Sequence, residues 1–337
     1  MKILYYSVHS VLEDDEIRML KGLGHDVFPL GVNFGFDAVE PFRDSIAFSD
    51  REHALLDDFY RTGCAYRYGH PYAAETILTR EFVALFDAMI VMHDLEFIDR
   101  WWPILSQIPV IWRTIGQNIE GLEPLASSLK AKGLHIVRYS PVERRAPHYA
   151  GERALIRFGK NADHYGPWTG RDLSVLTFAN LLVQRYPTEA QIYLETVVGL
   201  PSALGGVGNE ALPGQIGLLS PQQQQDRYND SRAYLYCSGG EVPYTLNFIE
   251  ALMTGLPVVA FKFDPAHRYY EIPALLEAGG GMVASTVEQA RGFLQRLLND
   301  EAFAQEASAK SRAIALEHFG LDRIGRQWNS LLVSVTR

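Results

Sequence analysis

The chain has 337 residues, 47% of them hydrophobic and 21% charged, which is room for two domains with separate cores. A net charge of −9 argues against a protein held on nucleic acid or on a membrane by a broad basic face, and the short basic clusters Lys130–Lys132 and Arg144–Arg145 read as solvated surface. No apolar run approaches the ~18–20 residues of a membrane span, and the opening Met-Lys-Ile-Leu-Tyr-Tyr lacks the regions of a signal peptide, so the expectation is a cytoplasmic protein with Cys64 and Cys237 as reduced core thiols.

Residues 2–8 predict a strand, and Glu13-Asp14-Asp15-Glu16 places acid in the first turn of a helix running to Gly22, where the helix dipole favours it. A second strand over 26–30 completes a β-α-β opening without a dinucleotide-binding glycine fingerprint. Residues 31–47 are punctuated by Gly, Asn, Phe and Pro; a helix is expected over 51–60, and the aromatic segment 65–73 reads as a loop that packs on its domain. From Thr76 the pattern is clearer: a helix over 76–86, a buried strand over 88–92, a helix over 95–106 carrying Trp101-Trp102 as packing residues, a strand over 109–112, a helix over 122–132 and a strand over 134–139. In an open parallel sheet, ligands bind outside the carboxyl ends of the strands, which makes His93, Asp94, Arg113, Gln117 and Asn118 site candidates by position. Alternatives stand for three of them: Asp94 as a helix cap, His93 as a hydrogen-bonded core histidine, and Arg113 as half of an ion pair within the fold.

Periodicity is lost over 151–172, which reads as the linker between a first domain of residues 1–150 and a second of 173–320, with a C-terminal helix over 321–337 expected to pack back toward the first domain. In the second domain, strands are expected over 173–179, 192–197 and 215–218, with 180–185 as a loop. Gly206 to Ala211 formally spells GxGxxA, but Pro213 and Gly214 follow at once and no helix can open there, so a dinucleotide site is rejected. Ser220-Pro221 starts a helix, with Ser at the cap and Pro at the first helical position. Further helices follow at 271–277, at 286–299 with a Thr286/Gln289 capping box, at 301–318 and at 321–334. No zinc spacing, HExxH, Walker loop or GxSxG is present, so no metal ligand, cofactor or serine nucleophile is expected.

The most informative stretch is 234–261, YLYCSGGEVPYTLNFIEALMTGLPVVAF. It reads as strand, tight turn, helix, Gly255 as a stop free to take positive φ, and a buried parallel strand. A helix N-terminus therefore stands between two carboxylates, Glu241 and Glu250. The N-terminus suits a phosphate and the carboxylates suit hydroxyls, a combination that fits a nucleotide sugar.

These residues resemble the GT-B glycosyltransferases, and most closely the retaining family-4 type. Phe248 to Ala260, FIEALMTGLPVVA, matches that family's helix with a glutamate followed by small-Gly-x-Pro-Val-Val. The resemblance covers most of the chain and implies two Rossmann-like domains facing each other across a cleft. It implies transfer of a sugar from a nucleotide-diphosphate sugar to an acceptor hydroxyl, retaining and without a metal. Glu250 would accept hydrogen bonds from the ribose, Glu241 would hold the donor hexose, and the amides of Thr245, Leu246 and Asn247 would hold the diphosphate. Residues 178–185, FANLLVQR, are similar to the family's loop that carries an arginine and a lysine. Arg185 falls at the lysine and Asn180 at the arginine, so one cation is missing, with Arg157, Lys160 or Arg113 as substitutes. The family's histidine after the strand at 109–112 is here Gly116, and His93 is the substitute candidate at the neighbouring strand end. Eight residues separate Glu241 from Glu250 where the family has seven, and Val242-Pro243-Tyr244-Thr245 replace its glycines.

Three other readings stay open from the sequence: a GT-B epimerase or phosphorylase, a non-catalytic nucleotide- or sugar-binding protein, and a transferase acting on a modified DNA base. The acceptor, whether glycan, lipid, protein or small molecule, has no motif in the sequence.

Overall fold

The computed structural model describes residues 1–30, 40–61, 78–237, 242–263 and 267–336. The chain divides into two compact units: residues 1–159 with 322–337, and residues 160–321.

The first unit is built on a six-stranded, all-parallel sheet of β1 (Lys2–Ser7), β2 (Asp26–Pro29), β3 (Ala88–Met92), β4 (Val110–Arg113), β5 (His135–Arg138) and β6 (Ala154–Leu155), in the order β2-β1-β3-β4-β5-β6. Every residue of β3 is buried, as expected for a strand covered on both faces by crossover helices. Its core joins Leu4, Phe28, Met89 and Trp112 to helix residues such as Phe82 and Ile98, and Trp101 and Trp102 are partly buried against it. Within the expected helix 76–86 a helix is described at Arg80–Val83, with Thr79 as its cap.

The second unit repeats the plan with β7 (Asp172–Phe178), β8 (Ser202–Gly205), β9 (Gln215–Gly217), β10 (Ser231–Tyr236), β11 (Val258–Phe261) and β12 (Gly281–Ala284), all parallel, in the order β12-β11-β10-β7-β8-β9. In both sheets the strand order reverses beside the unit's first strand. The crevice at the carboxyl ends therefore opens between β1 and β3 in one unit and between β7 and β10 in the other.

One expected strand is a helix. Residues 192–197 belong to the helix Pro187–Val197, and the strand of this region is β8 instead. The β-branched composition of IYLETV is overridden by position. Pro187 sits at the first helical residue, and Ala190, Tyr193 and Val197 fall on one buried face. The Thr196 hydroxyl donates back to the carbonyl of Ile192 at 2.6 Å. The expected loop 180–185 likewise closes in a short helix, Leu182–Arg185. Cys237 is a buried free thiol at the end of β10, whose burial pushes its pKa up; Cys64 lies outside the described residues.

Candidate functional site

The stretch that dominates the sequence supplies the centre of the second unit. β10 ends at Tyr236, the helix Leu246–Thr254 follows, and β11 returns beside β10 with Val258 opposite Tyr234. Gly255 takes φ 87°, the left-handed conformation that ends the helix, while the amide of Leu256 bonds back to the carbonyl of Ala251 at 2.9 Å. Phe248, Ile249, Leu252 and Met253 are buried. That leaves Glu250 on the open side of the helix.

Three side chains fix the Glu250 carboxylate. Lys160 Nζ lies 3.1 Å from Oε1, the Tyr165 phenol donates to Oε1 at 3.4 Å, and the Tyr228 phenol donates to Oε2 at 3.3 Å. Lys160 is 5% exposed; its own amide donates to the carbonyl of Phe319, so backbone as well as charge holds it in place. Burial, and then the charge of Glu250, push the phenol of Tyr228 well above its ordinary pKa, so it stays a donor at neutral pH. Glu250, Tyr165 and Tyr228 line an open cavity of about 230 Å³ together with His164 and the glutamines of the helix Pro221–Asp230. The cap of that helix is the predicted Ser220, closed into a capping box with Gln223.

Among the described residues, no side chain caps the start of the glutamate-bearing helix. Thr245 has the extended backbone of a cap, yet its side chain makes no capping bond, and the first-turn amides of Leu246 and Asn247 have no acceptor inside the helix. The Asn247 side chain donates to the carbonyl of Phe178 at the end of β7, at 3.4 Å. The helix start and the β7 loop thus meet at the sheet's switch point.

That loop is braced by a residue the sequence reading passed over. Asn209, 2% exposed, accepts from the amide of Leu182 at 3.0 Å and donates to the carbonyl of Ala179 at 2.6 Å. It belongs to the rejected GxGxxA match, whose glycines serve close approach. A Cβ on Gly206, at φ +118°, would stand 2.0 Å from the carbonyl oxygen of Ala179. Asn180, at the position of the missing cation, accepts from the amide of Val207 at 3.1 Å and so also ties the two loops together. Arg185 is exposed at the end of the short helix, with its guanidinium 5.3 Å from the ring centre of Tyr186. Glu271 is buried, and its amide donates to the carbonyl of Pro243 at 3.0 Å, anchoring the turn that precedes Thr245. Glu241 itself lies outside the described residues.

The remaining candidates are in the first unit. Arg113 is not available as a donor-binding cation. It is 0% exposed, paired with Glu16 at 3.0 Å, bonded to the carbonyl of Ile156 and packed over the ring of Phe158. Glu16 also accepts from the phenol of Tyr5 at 2.7 Å, which makes the arginine part of a buried network. Arg157 is partly buried two residues after β6. Asp94 is a cap: Oδ1 accepts from the amide of Phe97 at 2.9 Å and Oδ2 from the phenol of Tyr6 at 3.1 Å.

His93 stands at the end of β3 with φ 70°, its amide donating to the carbonyl of Arg113 at 2.8 Å. Burial, and then the charge of the nearby His9, hold its imidazole below the ordinary pKa, which keeps it neutral at pH 7. His9 caps the helix after β1, so the two histidines flank the first unit's switch point. His9 carried no motif in the sequence; its signal is its place one residue beyond the first strand's end. Among the described residues no group of three or more His, Cys, Asp or Glu is placed to hold a metal ion, and no helix is long and apolar enough to cross a membrane.

Compared by sequence, the chain matches no protein-family model and no curated protein. Compared by structure, it is similar to HepE from Anabaena, solved in complex with UDP and glucose, at a TM-score of 0.68 and 15% identity over 99% of this chain and 100% of that one. It is similar to sucrose-phosphate synthase from Thermosynechococcus elongatus at a TM-score of 0.67 and 13% identity, covering 99% of this chain and 98% of that one. A glycosyltransferase from Rickettsia africae ESF-5 gives a TM-score of 0.65 and 11% identity over 100% of this chain and 98% of that one. With its two parallel six-stranded sheets and flanking helices, the chain has the two-unit α/β fold of the GT-B glycosyltransferases.

Proposed function

We propose that the chain is a glycosyltransferase that moves a sugar from a nucleotide-diphosphate sugar to an acceptor hydroxyl. The observation that carries the proposal is the Glu250 carboxylate, fixed by Lys160, Tyr165 and Tyr228 at the wall of an open cavity, on a helix whose cap residue Thr245 makes no side-chain capping bond. A fixed carboxylate accepts hydrogen bonds from the neighbouring hydroxyls of a ribose, and an open helix start takes a diphosphate. HepE, of the same fold, has been solved in complex with UDP-glucose, which supports a nucleotide sugar as the ligand.

In the reaction, the bond between the anomeric carbon and the β-phosphate oxygen breaks with its electron pair going to that oxygen, the acceptor oxygen bonds to the carbon, and the acceptor's proton passes to the departing phosphate or, through water, to solvent. The departing nucleoside diphosphate gains charge, which Arg185 and the amides of Thr245, Leu246 and Asn247 stabilise in a preorganised way, without a metal ion. The anomeric configuration is retained, a reading that rests on the resemblance of the helix–Gly255–strand segment to the family-4 type. Glu241 holds the donor hexose, Arg157 adds positive charge, and His93 serves the acceptor side.

The test is a panel of nucleotide sugars assayed for nucleotide release. Glu250→Ala and Arg185→Ala each weaken donor use severely. Unchanged donor KM and kcat in both, in folded protein, would sink the site assignment. A second reading, a protein that binds nucleotide without transfer, is favoured by one observation: Asn180, where the second cation is expected, is engaged in closing its loop. It predicts nucleotide binding with no sugar release over long incubation.

A further inference from the structure

A basic feature lies in the first unit, on the outer edge of its sheet. β6 is an edge strand, paired only with β5, and the C-terminal helix Leu321–Val335 runs beside it. Between them is an open groove of about 520 Å³. The helix buries Ile324, Trp328 and Leu332 away from the groove and lines it with Arg323, Arg326, Gln327, Ser330 and Ser334, with the largely buried Leu331 at its floor. The spacing of three and four residues puts them on one face. Arg153, just before β6, faces them across the groove, and its guanidinium donates to the hydroxyl of Ser334 at 3.4 Å.

The chemistry of this lining is one-sided. Three of its ten residues are arginines and none is acidic, in a chain whose net charge is −9. Five other exposed arginines are matched by carboxylates, Arg18 with Asp14, Arg61 with Asp58, Arg144 with Glu152, Arg171 with Asp230 and Arg296 with Asp300, whereas among the described residues Arg51, Arg100 and Arg185 are not. Among the described residues Arg153 meets only the hydroxyl of Ser334, and Arg326 makes no hydrogen bond or ion pair. A surface selected only for solubility intersperses both signs. Guanidinium forks beside hydroxyl and amide donors match the oxygens of a phosphoryl group.

We propose that this groove is a binding site for a phosphoryl group, carried by a soluble phosphate ester or by a lipid headgroup, with Arg153 and Arg326 as its principal contacts. The experiment uses the full chain and two probes: inorganic pyrophosphate followed by calorimetry, and co-sedimentation with phosphatidylcholine vesicles containing phosphatidylglycerol. Arg153→Ala/Arg326→Ala is compared with wild type and with Arg18→Ala/Arg61→Ala, which removes the same charge from paired, exposed positions. A site in the groove makes the first variant lose at least about tenfold in affinity for one of the probes at low salt, while the second keeps it. Arg153→Lys/Arg326→Lys recovers part of the loss, because a point charge replaces a fork. Dependence of pyrophosphate binding on the two arginines identifies the soluble source, and dependence of vesicle binding identifies the headgroup. The proposal is overturned if Arg153→Ala/Arg326→Ala binds both probes as wild type does, or if the control variant loses as much.

Discussion

Lys160→Met tests whether Glu250 is held in place rather than merely present. The lysine side chain is 6% exposed and that of the glutamate 16%, with 3.1 Å between the charges. Removing one partner of a buried pair costs about 3–5 kcal/mol, because the other charge is left uncompensated. Glu250 keeps two phenol donors and faces the open cavity, so the expected loss falls below that range, at about 2 kcal/mol. For a unit of residues 160–321 that corresponds to a fall of roughly 4–8 °C in Tm. The assay is a double-mutant cycle with Glu250→Gln, read both as thermal unfolding and as donor kinetics. The double variant should recover about 1–2 kcal/mol relative to the sum of the singles. Lys160→Met should raise the donor KM several-fold and lower kcat less, since Lys160 acts on the donor through Glu250. Additivity of the two substitutions within about 0.5 kcal/mol, with an unchanged KM, would refute the claim that this ion pair positions the carboxylate.

Two further perturbations probe the supporting structure. Glu13, 0% exposed and without a hydrogen-bond partner among the described residues, has its carboxyl pushed from 4.5 up to about 8 by burial, with the charge of Arg43 opposing and that of Asp14 adding. Between those values the folded state keeps a proton that the unfolded state has lost, so stability falls as pH rises from about 4.5 to about 8. Glu13→Gln should therefore flatten the profile, raising the unfolding free energy at pH 8 by an amount on the order of a few kcal/mol, with a higher Tm, and leaving both nearly unchanged at pH 4.5; equal effects at both pH values would contradict this. Asn209→Ala leaves the amide of Leu182 and the carbonyl of Ala179 without their partner, a loss of about 2 kcal/mol by thermal unfolding. The same change should weaken donor use, because that loop carries Arg185, and full donor affinity in the variant would show that the brace serves stability alone.

Much of the second unit's centre was legible from local rules. The strand at 231–236, the helix stopped by Gly255 and the buried strand at 258–261 follow from periodicity, glycine chemistry and apolar runs within one short segment. What escaped depends on distance or context. Arg113 stood at a strand end like a ligand residue, and only the fold brings it to Glu16, 97 positions away. Lys160 was legible as a cation but not as the partner of Glu250, since nothing local links the two segments. Asn209 lies in the GxGxxA match set aside because no helix can open there, yet its buried amide organises the loop before Arg185. The helix Pro187–Val197 was misread as a strand because β-branched residues outweighed the proline that starts it and the face it buries. Those failures share a cause: side-chain composition describes a segment, whereas pairing and burial are set by its neighbours.

The central claim is nucleotide-sugar transfer, and the most direct measurement is incubation of the purified chain with a panel of nucleotide-diphosphate sugars and acceptors. Nucleoside diphosphate release and the mass of the acceptor are followed together. One donor is expected to give nucleoside diphosphate and a glycosylated acceptor in equal amounts, and Glu250→Ala to abolish both. Folded protein that binds a nucleotide sugar and never releases the sugar, or that turns over equally well without Glu250, would contradict it.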